Sequence, residues 1–141
     1  MEDSIKKEAL IIYKADILFE TVEEITGIKK EEIISKKRDQ NIAMARNIVG
    51  YILHKGVGIT TTLTAKIIHR DHSTVVYYNK TFDGNYNYYK DFKDVYDLVT
   101  ALFWSKFFTT EEKEIDLQIK SLDALIEKLK KRTEYLLIKN K

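Results

Sequence analysis

Cysteine is absent from the 141 residues, and so is proline. Without thiols there is neither a disulfide nor a thiolate metal site, and a reducing compartment suits the chain. Without proline, and with only five glycines, almost nothing interrupts a helix. Long apolar runs are missing as well: no stretch approaches the ~20 residues a membrane span needs, and the N-terminal residues lack the apolar core of a signal peptide. A cytoplasmic protein with no membrane partner is expected. Charge of one sign is also scarce, since the net charge is only +2. That value alone predicts no partner.

Its distribution says more. From Ser35 to Lys80 eight Lys or Arg stand against two Asp, a local balance of +6 that leaves −4 for the rest. A basic middle between acidic ends points to a localised anion-binding surface. Within it, Arg70-Asp71-His72-Ser73-Thr74-Val75 follows a short apolar segment (Leu63, Ala65, Ile67, Ile68) and precedes a helical run from Val75 to Phe82. A short helix, a polar turn and a second helix opening with polar groups is the plan of a helix-turn-helix.

Taken in order, residues 1–26 read as a helix with Ile5, Ala9, Ile12, Leu18, Val22 and Ile25 on one stripe, ended by Gly27. A short helical turn from Lys30 to Ile34 follows. Ser35 is placed to cap a helix from about Lys37 to His54, with Ile42, Ala45, Ile48, Val49, Ile52 and Leu53 as its buried stripe. Lys37, Arg38 and Arg46 lie off that stripe, and His54 is expected at the surface. Thr60 or Thr61 is placed to cap the first motif helix. Asp83-Gly84-Asn85 is a turn signal. A last domain helix covers about Tyr88 to Phe107. No period-2 strand is evident, so the fold class is all-α.

From Thr109 onward the spacing changes. Ile115, Ile119, Leu122, Ile126, Leu129, Thr133 and Leu136 recur at alternating steps of four and three. This heptad seam favours a parallel two-stranded coiled coil, that is, a homodimer through 115–136. Leu117, Leu125 and Leu137 widen the face, so packing back onto residues 1–26 is the alternative. The organisation expected is a helical extension at 1–12, a helix-turn-helix domain at 13–108 and an added amphipathic heptad helix at 109–141.

The run Ser35-Lys36-Lys37-Arg38, then Ile42-Ala43-Met44-Ala45-Arg46-Asn47, then Arg70 to Val75 resembles the DNA-binding domain of the bacterial replication initiator DnaA over roughly residues 13–105. The resemblance implies a helix-turn-helix bundle of the Trp-repressor-like kind and a double-stranded DNA partner. It implies that Arg38 enters the minor groove, where narrow A/T-rich DNA attracts a guanidinium. Asp71, His72 and Ser73 would be the major-groove base readers. Arg46, Asn47, Arg70 and Thr74 would hold the phosphate backbone, with Lys36, Lys37, Lys55 and Tyr77 beside them. Thr60 and Thr61 fall where the first motif helix approaches base edges. The chain departs from the family at Asn47, usually glutamine, and at Thr64 and His69, where the turn is usually flanked by small residues or glycine. The loop at Gly56–Gly58 is about one residue shorter, and Thr60 and Thr61 replace an apolar pair.

Other chemistry has little support. No G-x-x-x-x-G-K-[ST] phosphate loop is present, so no nucleotide cofactor and no ATP-driven origin opening is expected. His69 and His72 lack further ligands nearby, so no metal is expected. Asp71, His72 and Ser73 are adjacent on one helix and point about 100° apart, which rules against a relay of nucleophile, base and orienter; no enzyme is expected. The tyrosines at 77, 78, 86, 88 and 89 read mainly as packing residues rather than as platforms for bases. The expected role is sequence-preferring DNA binding in replication or transcription control, which would suit a phage or mobile element. The alternative is a helical adaptor that binds a partner through its tail and has lost specific DNA reading.

Overall fold

The core begins where α1 (Glu2–Thr26) first meets other helices. Ala15, Leu18, Phe19, Val22 and Thr21 are buried, whereas Ile5, Leu10 and Ile12 upstream are exposed. The expected stripe of residues 1–26 therefore buries only its second half. In the computed structural model, which describes residues 2–107 and 110–139, every regular element is helical. After α1 come α2 (Lys30–Ile33), α3 (Gln40–Tyr51), α4 (Thr61–Ile67), α5 (His72–Tyr88), α6 (Lys90–Phe107) and α7 (Thr110–Lys139). The chain forms two compact units, residues 1–107 and 108–141. The domain boundary expected at 108–109 falls outside the described residues.

In the first unit α1 lies along α6, α3 crosses α1 and α5, and α4 packs on α5. One apolar cluster joins Leu18 and Val22 of α1, Ile48 and Val49 of α3, Val75 of α5, and Val99 and Phe103 of α6. The stripe expected for α3 is buried throughout. Gly27 ends α1 at φ +76, the left-handed conformation that glycine adopts without Cβ strain. At the C-terminal end of α3 the helix widens over residues 52–56, with the Val57 N–H donating to the Ile52 carbonyl at 2.9 Å.

Two expected boundaries move. The helix placed at 37–54 starts only at Gln40, because Asp39 is the cap and accepts from the Asn41 N–H at 2.9 Å. The Ser35 hydroxyl instead donates to the Glu32 carbonyl at 2.6 Å and closes α2. Lys37 and Arg38 thus precede α3 in an extended link. The turn expected at Asp83-Gly84-Asn85 is absent: α5 runs through it to Tyr88. Phe82 and Tyr86, one turn apart, both enter an aromatic cluster. Phe82 stacks on Tyr51 with centroids 3.8 Å apart and meets Tyr96 edge-on at 4.8 Å, while Tyr86 meets Tyr96 at 5.8 Å. Aromatic contacts of ~0.5–1.5 kcal/mol each outweigh the ~1 kcal/mol penalty of a helical glycine.

The second unit is α7, a 30-residue helix. Its seam residues Ile119, Leu122, Ile126 and Leu129 are exposed; the side chains of Ile115 and Leu136 lie outside the described residues.

Close approach of α3 and α5 depends on Gly50. A Cβ there would sit 2.9 Å from the buried Tyr78 ring and 3.3 Å from Ile68. Alanine favours the helix by about 1 kcal/mol, but forcing a methyl into a filled core costs about 1–3 kcal/mol. Gly50→Ala is therefore expected to lower unfolding stability by about 1 kcal/mol, read as a lower urea midpoint at unchanged slope.

Candidate nucleic-acid interface

The helix-turn-helix is built by α4 and α5. Thr60 caps α4, its hydroxyl accepting from the Leu63 N–H at 3.2 Å. At the other end the chain reverses through His69, a non-glycine residue at φ 56. The Arg70 N–H donates to the Ala65 carbonyl at 2.8 Å and the His69 N–H to the Lys66 carbonyl at 3.3 Å. This is the paired-bond helix stop that usually employs glycine. Adopting it with a side chain costs about 1–2 kcal/mol; burial of Ile68 and Val75 on either side holds it in place.

The polar motif opens α5. Asp71, His72 and Ser73 are exposed and Thr74 is half-buried. The Ser73 hydroxyl donates to Asp71 Oδ2 at 2.5 Å, and His72 Nδ1 lies 3.6 Å from Asp71 Oδ1. Asp71 is held below the usual carboxylate range, chiefly by the Ser73 hydroxyl. It therefore stays ionised through neutral pH and loses its acceptor character only as pH falls to the acid side. With its proton directed at Asp71, the Ser73 oxygen also presents lone pairs outward. The Asp71–Ser73 pair is an acceptor surface. Because Ser73 donates to Asp71, the geometry is not that of a serine activated by a histidine.

Arg46 is placed differently from its neighbours. Only 4% of its surface is accessible. Its Nε donates to the Ile33 carbonyl at 2.6 Å, and its Nη2 to the carbonyls of Ser35 at 3.1 Å and Lys37 at 3.0 Å. Burial, and then the adjacent Arg70 guanidinium, push Arg46 below its ordinary value, while Tyr78 acts in the other direction. Arg70 is half-buried: its Nη2 donates to the same Ser35 carbonyl at 2.6 Å and its Nη1 to its own neighbour's carbonyl, His69, at 2.8 Å. Two guanidinium groups thus bind the 33–37 link to α3 and to the motif turn. Lys36, Lys37 and Arg38, all exposed, follow directly on the Ser35 carbonyl that Arg70 holds.

The remaining expected residues scatter more. Lys55, expected in a loop, is exposed on the widened turn that ends α3. The loop that follows is fixed by His54, read from sequence as a surface residue but half-buried here, with Nδ1 2.6 Å from the Ile59 carbonyl. Since a carbonyl only accepts, Nδ1 carries the proton. Thr60 is exposed and Thr61 half-buried. Asn47, with Tyr77, Gln40 and Asn41, lines an open cavity of about 690 Å³ between α3, α5 and the start of α6. Its Oδ1 is buried there without a protein partner. Sequence reasoning missed Gln40 and Asn41, whose position beside Tyr77 depends on how α3 crosses α5. Among the described residues no group of acidic or histidine side chains could hold a metal, and no helix is long and apolar enough to cross a membrane.

This architecture has known counterparts. Residues 15–81 match the family described as the bacterial dnaA protein helix-turn-helix. This segment is a DnaA-type helix-turn-helix domain. Over 62 residues the chain is 36% identical to the chromosomal replication initiator protein DnaA of Kosmotoga olearia, covering 44% of this chain and 14% of that one. Over 58 residues it is 36% identical to the protein of the same name from Pseudothermotoga lettingae, covering 41% and 13%. The chain thus spans about one seventh of the length of the curated relatives it matches. In the DnaA-type domain the segment matched starts at the first buried residue of α1, Ala15.

Removing the Arg46 guanidinium leaves carbonyls of a half-buried link without donors, a penalty of about 1–3 kcal/mol per fully buried group. Arg46→Ala is expected to destabilise the domain by about 2–4 kcal/mol, and Arg46→Lys to recover less than half of that because an ammonium cannot span three carbonyls. Chemical denaturation of both variants checks this.

Proposed function

We propose that the chain binds double-stranded DNA with a sequence preference, reading the major groove with Asp71, His72 and Ser73 and the minor groove with Arg38, as a regulator of replication or transcription. The observation that carries the reading is the pair of bonds to the Ser35 carbonyl, which ties the exposed Lys36-Lys37-Arg38 link to the turn presenting the base-reading motif. A protein so built can engage both grooves as one rigid body. The acceptor surface formed by Asp71 and Ser73 suits the amino groups that cytosine and adenine expose in the major groove. Lys36, Lys37, Lys55 and Arg70 are the phosphate contacts in this reading, with Thr60, Thr61, Thr74 and Tyr77 at its edges. Arg46 acts from inside, positioning the link rather than touching phosphate. We further propose that α7 joins two copies of the chain. The relatives' printed name, chromosomal replication initiator, supports a role at DNA. The competing adaptor reading draws on the exposed apolar face of α7.

Fluorescence anisotropy against duplexes separates these readings. An initiator-type box is expected to bind at least tenfold more tightly than random duplex at low salt; equal binding removes sequence preference, and no binding leaves the adaptor. With about six phosphate contacts, log K should fall with log salt at a slope of roughly −5.

Substitutions then sort the roles. Asp71→Ala is expected to cost about 1–3 kcal/mol of discrimination at one base pair. Lys36→Ala should weaken all duplexes alike and reduce the salt slope by about 1. Arg38→Ala should reduce preference for A/T pairs on the minor-groove side, and an unchanged preference removes Arg38 from that groove.

A further inference from the structure

Helix α7 carries an exposed apolar face. Ile119, Leu122, Leu125, Ile126 and Leu129 keep between 48% and 57% of their surface exposed. In heptad terms Ile119, Ile126 and Thr133 occupy the first core position (a), and Leu122 and Leu129 the second (d). In a parallel pair isoleucine at the first and leucine at the second favours two strands, which is the orientation the seam alone suggests. The charges flanking the seam also set direction. Those charges are segregated along α7. Residues 110–127 hold six acidic residues against Lys113 and Lys120, a balance of −4. Residues 128–139 hold five basic residues against Glu134, a balance of +4.

We propose that α7 pairs with α7 of a second copy in antiparallel orientation, Ile126 of each facing Leu129 of the other. This rests on the reading that α7 joins two copies, and fixes how. In a parallel pair the two acidic halves lie side by side, and so do the two basic halves. The seam-edge contacts there are Asp123 with Gln118 and Lys130 with Leu125, none of opposite charge. Turned end to end, each acidic half covers a basic half, and Asp123 of each copy meets Lys130 of the other. Leu125 then lies beside the Arg132 stem, which can cover it while its charge stays in water.

The orientation has a geometric result. At 1.5 Å per residue, the two starts of α7 stand about 50 Å apart in the antiparallel pair, against roughly 10 Å in a parallel one. Two DNA-binding units attached there suit sites separated by more than one helical turn of DNA, rather than half-sites on adjacent turns.

The absence of cysteine makes the test direct. Full-length Leu122→Cys and Thr133→Cys variants are oxidised separately and as an equilibrated mixture, with linkage read on a non-reducing denaturing gel and the wild-type mass by light scattering. Antiparallel pairing brings residue 122 of one copy against 133 of the other and keeps like positions about 16 Å apart along the axis. Disulfide-linked dimer is therefore expected in the mixture alone. Efficient linkage of each variant to itself gives a parallel dimer and overturns the orientation, leaving self-association standing. A monomeric wild-type chain at tens of micromolar overturns both. As a check that leaves the seam intact, Asp123→Lys should weaken dimerisation about tenfold and Asp123→Lys with Lys130→Asp restore it; no restoration also overturns the proposal. Anisotropy on a single-site duplex reports DNA binding by the helix-turn-helix independently, so loss of the dimer and loss of DNA binding are read apart.

Discussion

A cation buried against carbonyl oxygens is the constraint on which the DnaA-type domain depends. Arg46 brings a charge that stays fixed at any accessible pH into a site with 4% exposure. Desolvation of a charge there is costly unless strong hydrogen bonds replace water. The replacement comes from three carbonyls of one short segment, 33, 35 and 37. Beyond Ile33, the last residue of α2, that segment has no regular structure of its own, so without the guanidinium its backbone acceptors would turn to solvent. Arg70, arriving from a position thirty-five residues away in sequence, completes the junction. The entry link, α3 and the motif turn are thereby one mechanical unit.

The rest of the domain protects that unit. Glycine at position 50 lets α3 lie against Tyr78 and Ile68, which sets the distance between the buried arginine and α5. The aromatic cluster of Tyr51, Phe82, Tyr86, Phe92 and Tyr96 anchors the far end of α5. Asp71, His72 and Ser73 stand at the near end, where the turn at His69 exposes them. Local strain at His69 is tolerated because both sides of the turn are buried.

Much of this was legible in the residues. The all-α class, the stripe of α3 and the motif at Arg70–Val75 follow from periodicity and from turn chemistry, which are local properties. The failures were long-range. Asp83-Gly84-Asn85 reads as a turn until Phe82 and Tyr86 are seen to share Tyr96 of α6, with Tyr51 of α3 stacked on Phe82. Arg46 reads as one more exposed cation because it lies off the apolar stripe; nothing local reveals that the 33–37 carbonyls converge on it. His54 reads as a surface residue for the same reason, its partner being the carbonyl of Ile59. Lys37 and Arg38 read as helical because Ser35 can serve as a cap, although Asp39 takes that position.

The acceptors around Arg46 and Arg70 belong to the backbone. The bonds from the two arginines reach carbonyls and not side chains, and of the link's own side chains Ser35 adds to its structure, bonding Glu32 and Lys37. The two arginines are fixed by geometry, whereas Lys36, Lys37 and Arg38 are free to be exchanged without disturbing the scaffold beneath them. In the proposed reading, recognition and architecture are thus written in separate residues of one peptide, because no bond that holds the link comes from the side chains at 36, 37 and 38.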